Sequence, residues 1–193
     1  MNEKAASKKT LEELLGIIDP GHLEVLLGLL EKLWVERRNH VNERWKRTLP
    51  LGEYIVDRWE KARILGFGQG TSIYDSALVF GDVTVGENTW IGPHVILDGS
   101  GGLSIGNNCS ISAGVQLYSH DSIKWAVSGG VEPYECAQTS IGDNCYIGPN
   151  TVVVKGVDIG NSCIVGANSL VLKDIPAGSK AWGSPCQRHG RSK

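Results

Sequence analysis

Large, adaptable core residues are scarce in this chain, which has one Met and two Phe in 193 residues. Its core must therefore be filled by Val, Ile, Leu and Ala. No apolar run reaches the length of a membrane span, and the opening Met-Asn-Glu-Lys lacks a signal-peptide pattern. The five Cys have no framework spacing, which excludes a disulfide scaffold and fits reduced thiols in a cytoplasmic protein. A formal charge of −2 carries no overall nucleic-acid signature.

Glycine, by contrast, is in excess at 25 residues, nearly twice the ordinary share. That excess must serve turns or close backbone approaches. Charge is unevenly spread. Residues 1–66 are nearly balanced, residues 67–176 hold 3 basic and 10 acidic groups, and residues 177–193 hold 4 basic and none acidic. A basic tail on an acidic body invites an anionic ligand near the C-terminus; the alternative is a solvated tail.

Residues 1–66 read as a helical region. Thr10 to Glu13 forms a capping box, and Asp19-Pro20 offers an N-cap followed by Pro at the first helical position. Leu23, Leu26, Leu27, Leu30, Leu33, Trp34, Val41 and Trp45 then recur at helical spacing. Leu49-Pro50-Leu51-Gly52 breaks that helix, and a third is expected over Glu53 to Leu65. The apolar stripe is expected to pack on the rest of the protein or on a sister subunit. The arginines between Arg37 and Arg47 read as a solvated face or a binding patch.

From Phe67 a large apolar residue returns every six positions: Phe67, Ile73, Val79, Val85, Ile91, Leu97, then Ile105, Ile111, Leu117, then Ile141, Ile147, Val153, Ile159, Val165 and Val171. Gly often follows, and a small or β-branched residue comes four positions later. Each unit reads as strand, tight turn, strand, with Gly supplying turn conformations that other residues resist. Three units make one coil of eighteen residues, so about five coils are expected over residues 67–176. Cys109, Cys145 and Cys163 share one inward column as small apolar residues, with a metal or redox site as the alternative. The register breaks twice. Two extra residues enter within Asp98 to Leu103, and a loop of residues 121–138 leaves the stack after Leu117. Loops ejected from rigid scaffolds tend to carry function.

These features resemble the hexapeptide-repeat acyltransferase superfamily, most closely its sugar and surface-polysaccharide O-acetyltransferases. The resemblance rests on Val85-Gly86-Glu87-Asn88-Thr89-Trp90-Ile91-Gly92, on Leu117-Tyr118-Ser119-His120-Asp121, on Val165-Gly166-Ala167-Asn168-Ser169 running to Lys173-Asp174-Ile175-Pro176, and on Gly183-Ser184-Pro185. It implies a mainly β fold, a left-handed parallel β-helix with an N-terminal helical region, and a homotrimer with active sites between subunits. The implied activity is transfer of an acetyl group from acetyl-CoA to a hydroxyl of a sugar or polysaccharide precursor, with no metal required. The alternatives are acetylation of a nucleotide-linked amino sugar, or a non-catalytic trimeric scaffold.

Acetyl transfer needs a base for the acceptor proton, a task that suits an imidazole. The family's catalytic His falls at His120, with Asp121 as the residue expected to orient it. His94 stands where relatives place an Asn that holds the acceptor. Asp98, in the column under Leu117, is expected near His120 and facing acceptor hydroxyls. For the acetyl-CoA groove the resemblance points to Ala167, Lys173 and Tyr146, the last where relatives often carry Trp. Arg188 and Arg191 are candidates for the nucleotide phosphates. The γ-type carbonic anhydrases share the implied fold, but the His spacing of their zinc site is missing here, with Trp125 five residues after His120.

Overall fold

A computed structural model describes residues 20–192. The capping box at Thr10 to Glu13 and the N-cap position at Asp19 lie outside the described residues. The chain divides into two compact units, residues 1–55 and 56–193.

In the first unit, helix α1 spans Pro20–Trp45 and opens on Pro, whose missing N–H and fixed φ suit the first helical position. The short helix α2 spans Gly52–Ile55. Buried Tyr54 ties the two together. Its hydroxyl accepts from Leu49 N–H at 2.7 Å, and its carbonyl accepts from Arg37 Nε at 2.9 Å. Along α1, Leu23, Leu26, Leu27, Leu30, Leu33 and Trp34 are exposed. No helix among the described residues is long and apolar enough to cross a membrane.

The single helix expected over Glu53 to Leu65 is in fact two, because Asp57 starts a new one. Its backbone is extended, and its Oδ1 accepts from Trp59 and Glu60 N–H at 3.0 and 2.9 Å, opening α3 over Arg58–Ile64. In the second unit α3 closes one end of the stack. Ala62 is buried, and Lys61 Nζ donates to the carbonyls of Tyr74, Asp75 and Ala77 at 2.8–3.1 Å.

The rest of the second unit is a β-helix of parallel coils. Its first face stacks Ser72–Ile73, Trp90–Ile91, Ser110–Ile111, Tyr146–Ile147, Ile164–Val165 and Ser179–Trp182. Its second face stacks Leu78–Val79 on Leu97 and its neighbour Ile96, then Gln116–Leu117, Val152–Val153 and Leu170–Val171. The third carries Val83–Val85, Leu103–Ile105, Thr139–Ile141 and Asp158–Ile159. The first face therefore has six parallel rungs where about five coils were expected, since Ser179–Trp182 adds one. The segment read as a basic tail is ordered into this edge. Gln187–Arg191 folds back antiparallel on Ser179–Trp182, and the rings of Trp182 and His189 stack at 3.9 Å.

Fourteen of the fifteen periodic positions are buried, and Val79 is half-buried. The glycines that follow them serve a different purpose from the one the sequence pattern implied. Their φ angles are not positive; the left-handed corners fall on Asn88, Asn108, Asn144, Asn150 and Asn168, on His94 and Ser162, and on other glycines such as Gly70, Gly114 and Gly156. Gly148 is required instead by close approach, because a Cβ there would lie 2.5 Å from Ala167 N in the next coil. In the inward corner column, side chains also bond between coils. Thr89 N–H donates to Thr71 Oγ1 at 2.9 Å, Cys109 N–H to Thr89 Oγ1 at 3.0 Å, and Cys163 N–H to Cys145 Sγ at 3.4 Å. The thiols of Cys109 and Cys145 donate to the carbonyls of Gly142 and Gly160 at 3.1 and 3.2 Å. The hydrogen bond with Cys109, together with burial, pushes the Cys145 thiol up.

Candidate active site at the mouth of the ejected loop

Leu97 pairs with Leu117 across adjacent coils, so the residues that follow, Asp98 and Tyr118-Ser119-His120, emerge together at one corner. Asp98 is nearly inaccessible, with 3% of its side chain exposed, yet it is fully bonded. Its Oδ1 accepts from Ser100 N–H at 3.1 Å and Ser100 Oγ at 2.6 Å, and its Oδ2 from Ser119 N–H at 3.2 Å. Oδ2 also pairs with His120 Nδ1. Ser119 fixes the frame: its hydroxyl donates to the Asp98 carbonyl at 2.6 Å and accepts from Gly101 N–H at 2.8 Å. The two-residue irregularity after Asp98 is what brings Ser100 and Gly101 to these bonds.

Burial raises the Asp98 carboxyl, but the bonds from Ser100, His120 and Ser119 outweigh it and hold the pKa below the usual carboxylate value. An ionised carboxylate only accepts, so His120 Nδ1 carries the proton and Nε2 presents its lone pair. The imidazole is one-third exposed. It lines a cavity of about 360 Å³ with Tyr118, Asp121, Ile123, Val154 and Lys155. A buried anion, an oriented ring and an open basic nitrogen are the parts needed to take a proton from a polar acceptor.

The carboxylate expected to orient the ring was Asp121, but the structure puts Asp98 there. Asp121 Oδ2 binds Lys155 Nζ at 2.6 Å and its Oδ1 accepts from Ile123 N–H at 3.0 Å. Asp98, expected to face acceptor hydroxyls, is buried behind the ring. His94 is exposed at a left-handed corner, φ +58°, where the second face begins, whereas His120 follows its end. One chain therefore does not bring the two His together. Lys173 and Arg188 do meet, lining a cleft of about 190 Å³ with Cys186 and Gln187. Ala167 and Tyr146 are exposed but outside that cleft, at the corner after Ile164–Val165 and on the first face respectively.

Three residues at the site were not anticipated. Ser119 and Ser100 complete the Asp98 cage, and Lys155 joins Asp121 to Glu135. Residues 67–176 contain only Lys124, Lys155 and Lys173 as cations. That scarcity was the available signal, since a lone cation in an acidic body points to a specific partner.

A parallel β-helix built on six-residue units defines a class of fold, and the comparisons agree with that fold. Residues 82–119 match the hexapeptide repeat of succinyl-transferase and residues 138–173 the bacterial transferase hexapeptide (six repeats). Through these residues the chain carries hexapeptide repeats of the kind found in the hexapeptide-repeat acyltransferase superfamily. It is 34% identical over 118 residues to the bifunctional protein GlmU of Halalkalibacterium halodurans, a match covering 58% of this chain and 23% of that protein, so the chain spans about a quarter of that relative's length. A maltose O-acetyltransferase from Clostridium difficile 630 has a similar structure, with TM-score 0.55, 25% identity, and coverage of 84% of this chain and 88% of that one. The N-acyltransferase AntD from Bacillus cereus, solved with dTDP and 3-hydroxybutyryl-CoA, superposes with TM-score 0.59 at 17% identity, over 72% and 92% of the two chains, and shares the fold.

Proposed function

We propose that this protein transfers an acetyl group from acetyl-CoA to a sugar hydroxyl, with His120 as general base. The observation that carries the reading is the His120–Asp98 pair at the cavity beside the ejected loop. In the transfer, His120 Nε2 takes the acceptor proton as the oxygen attacks the thioester carbonyl. The C–S bond then breaks, and the proton passes from the imidazolium to the departing thiolate. Asp98 keeps the ring oriented and stabilises its cationic form. Lys173 and Arg188 supply two cations, in one cleft, for the phosphates of the nucleotide. Ala167 and Tyr146 serve the pantetheine arm, and His94 reaches an acceptor from a second copy in a trimer with sites between subunits.

The test is thioester consumption with acetyl-CoA and a panel of glucose, galactose, maltose and glucosamine, which separates hydroxyl from amine acceptors. His120→Ala should lower kcat by about a hundredfold or more, the usual contribution of a positioned base, with acetyl-CoA affinity unchanged. A folded His120→Ala protein that still turns over the best acceptor at the wild-type rate would remove His120 from the mechanism.

A further inference from the structure

The loop that leaves the stack after His120 has little apolar packing to hold it. Its helix α4, Ile123–Val127, buries none of its residues, and Ile123, Val127 and Val131 are exposed. At its base His120–Asp121 pairs antiparallel with Glu135–Cys136. Charge ties this base together: Lys124 Nζ meets Glu135 Oε1 at 2.6 Å, Glu135 Oε2 meets Lys155 Nζ at 3.2 Å, and Lys155 Nζ meets Asp121 Oδ2 at 2.6 Å. Three members of this chain of ion pairs belong to the loop itself. Lys155 alone belongs to the coil stack, and its side chain is 22% exposed. It also lines the His120 cavity. One residue before Glu135, the Tyr134 ring lies 6.3 Å from the imidazole and 5.6 Å from Trp125. Where Glu135 sits therefore decides where these two aromatic rings stand against the base.

We propose that Lys155 is a positioning residue that latches the ejected loop to the stack and sets the acceptor-side wall of the His120 cavity. The inference rests on the acetyl-transfer reading for what fills the cavity, but the latch itself does not. With the latch closed, the Tyr134 ring stands near the imidazole and is backed edge-on by Trp125, an aromatic pair suited to the apolar face of a sugar. With it open, the base and its Asp98 partner are untouched, because both are held by the stack. Acceptor affinity should depend on Lys155, while the chemical step and acetyl-CoA binding should not.

The experiment uses the full chain with Lys155→Met and Lys155→Arg, and as acceptor the sugar of the panel above with the highest kcat/KM. Lys155→Met should raise acceptor KM by about tenfold, move kcat at saturating acceptor far less, and leave acetyl-CoA affinity as in wild type. Lys155→Arg should restore KM to within a few-fold. Wild-type KM should rise with added salt more steeply than that of Lys155→Met, because the variant lacks both ion pairs to Lys155 and keeps only Lys124–Glu135. Hydrogen exchange should speed up across residues 121–136 in Lys155→Met and stay unchanged in the coils. Exchange in the loop identical to wild type would overturn the latch whether or not any acceptor is turned over. A parallel fall in kcat with a lowered melting temperature would show a merely structural lysine, and an unchanged KM would remove the loop wall from acceptor recognition. Absence of transfer by wild type to every acceptor, with loop exchange still faster in Lys155→Met, would sink the functional reading and spare the latch.

Discussion

Asp98→Asn probes the dyad with the least change in shape. The amide keeps an oxygen for the Ser100 N–H and hydroxyl, which now approach Oδ1 at 3.1 and 2.6 Å. On the other side, an NH₂ replaces the oxygen that meets His120 Nδ1 and Ser119 N–H. An imidazole facing a donor must accept at Nδ1 and carry its proton on Nε2, the nitrogen that should take the acceptor's proton. The lost charge-assisted bond is worth about 1.5–3 kcal/mol, or roughly ten- to a hundredfold in rate. The inverted tautomer adds to this, so kcat should fall by about 10²–10⁴, as expected when a base is held in the wrong tautomer. Ser119 N–H now faces a donor and should cost about 1–3 kcal/mol of stability. The assay is steady-state thioester consumption beside thermal unfolding, with the double variant Asp98→Asn/His120→Ala as the decisive arm. Residues acting as one unit are non-additive, so the double variant should be no slower than His120→Ala alone. A folded Asp98→Asn enzyme within fivefold of wild-type kcat, or additive losses in the double variant, would refute the dyad.

Further consequences follow from the corner columns and the charged sites. Hydrogen bonds hold the folded Asp98 pKa below its unfolded value despite the opposing effect of burial. Its contribution is therefore full above the unfolded pKa of about 4 and is lost as pH falls through the lower folded value. The part of the melting difference between wild type and Asp98→Asn that comes from the carboxylate should shrink as pH falls below about 4. Cys109→Ala removes a buried thiol and its bond to the Gly142 carbonyl; it should lower stability by about 1–2 kcal/mol in a denaturant melt and leave turnover as in wild type. Gly101→Ala puts a methyl inside contact distance of the Ser119 carbonyl and beside Cys136, so it should lower both stability and kcat. If Lys173 and Arg188 meet nucleotide phosphates, calorimetry should give tighter binding of CoA than of dephospho-CoA, with the gap narrowing as salt is added.

The six-residue period was legible because a β-helix repeats its geometry, so the same burial requirement returns at Ile73, Ile91, Ile111 and Ile147, each fully buried. The corner at His120 was legible for the same reason: once Leu97 and Leu117 share a column, Asp98 must lie near His120. Which carboxylate meets the ring was not legible. Successive side chains in extended backbone point to opposite faces, so the sequence neighbour Asp121 turns away to Lys155 while the distant Asp98 faces the imidazole. That choice depends on the two-residue irregularity and its Ser100 and Gly101 bonds, which periodicity does not encode. The break at Asp57 and the fold-back of Gln187–Arg191 were missed because one is a local capping bond and the other a pairing that only the finished sheet edge offers.

The ejected loop enters and leaves the stack at one corner, with His120 opposite Cys136. Ala137 N–H returns to the Ser119 carbonyl at 2.9 Å and Thr139 Oγ1 to the Tyr118 carbonyl at 2.8 Å. The insertion is thus sealed off before the next rung, and the coils on either side keep their register whatever the loop contains. Closure entropy grows only slowly with loop length, so residues 122–134 can be lengthened, shortened or exchanged at small thermodynamic cost while the imidazole and its carboxylate stay in place. Under the proposed function, acceptor preference becomes a cassette: lineages can trade it among β-helices without rebuilding the catalytic corner, and grafting this segment onto a relative's stack is a direct way to move one enzyme's selectivity to another.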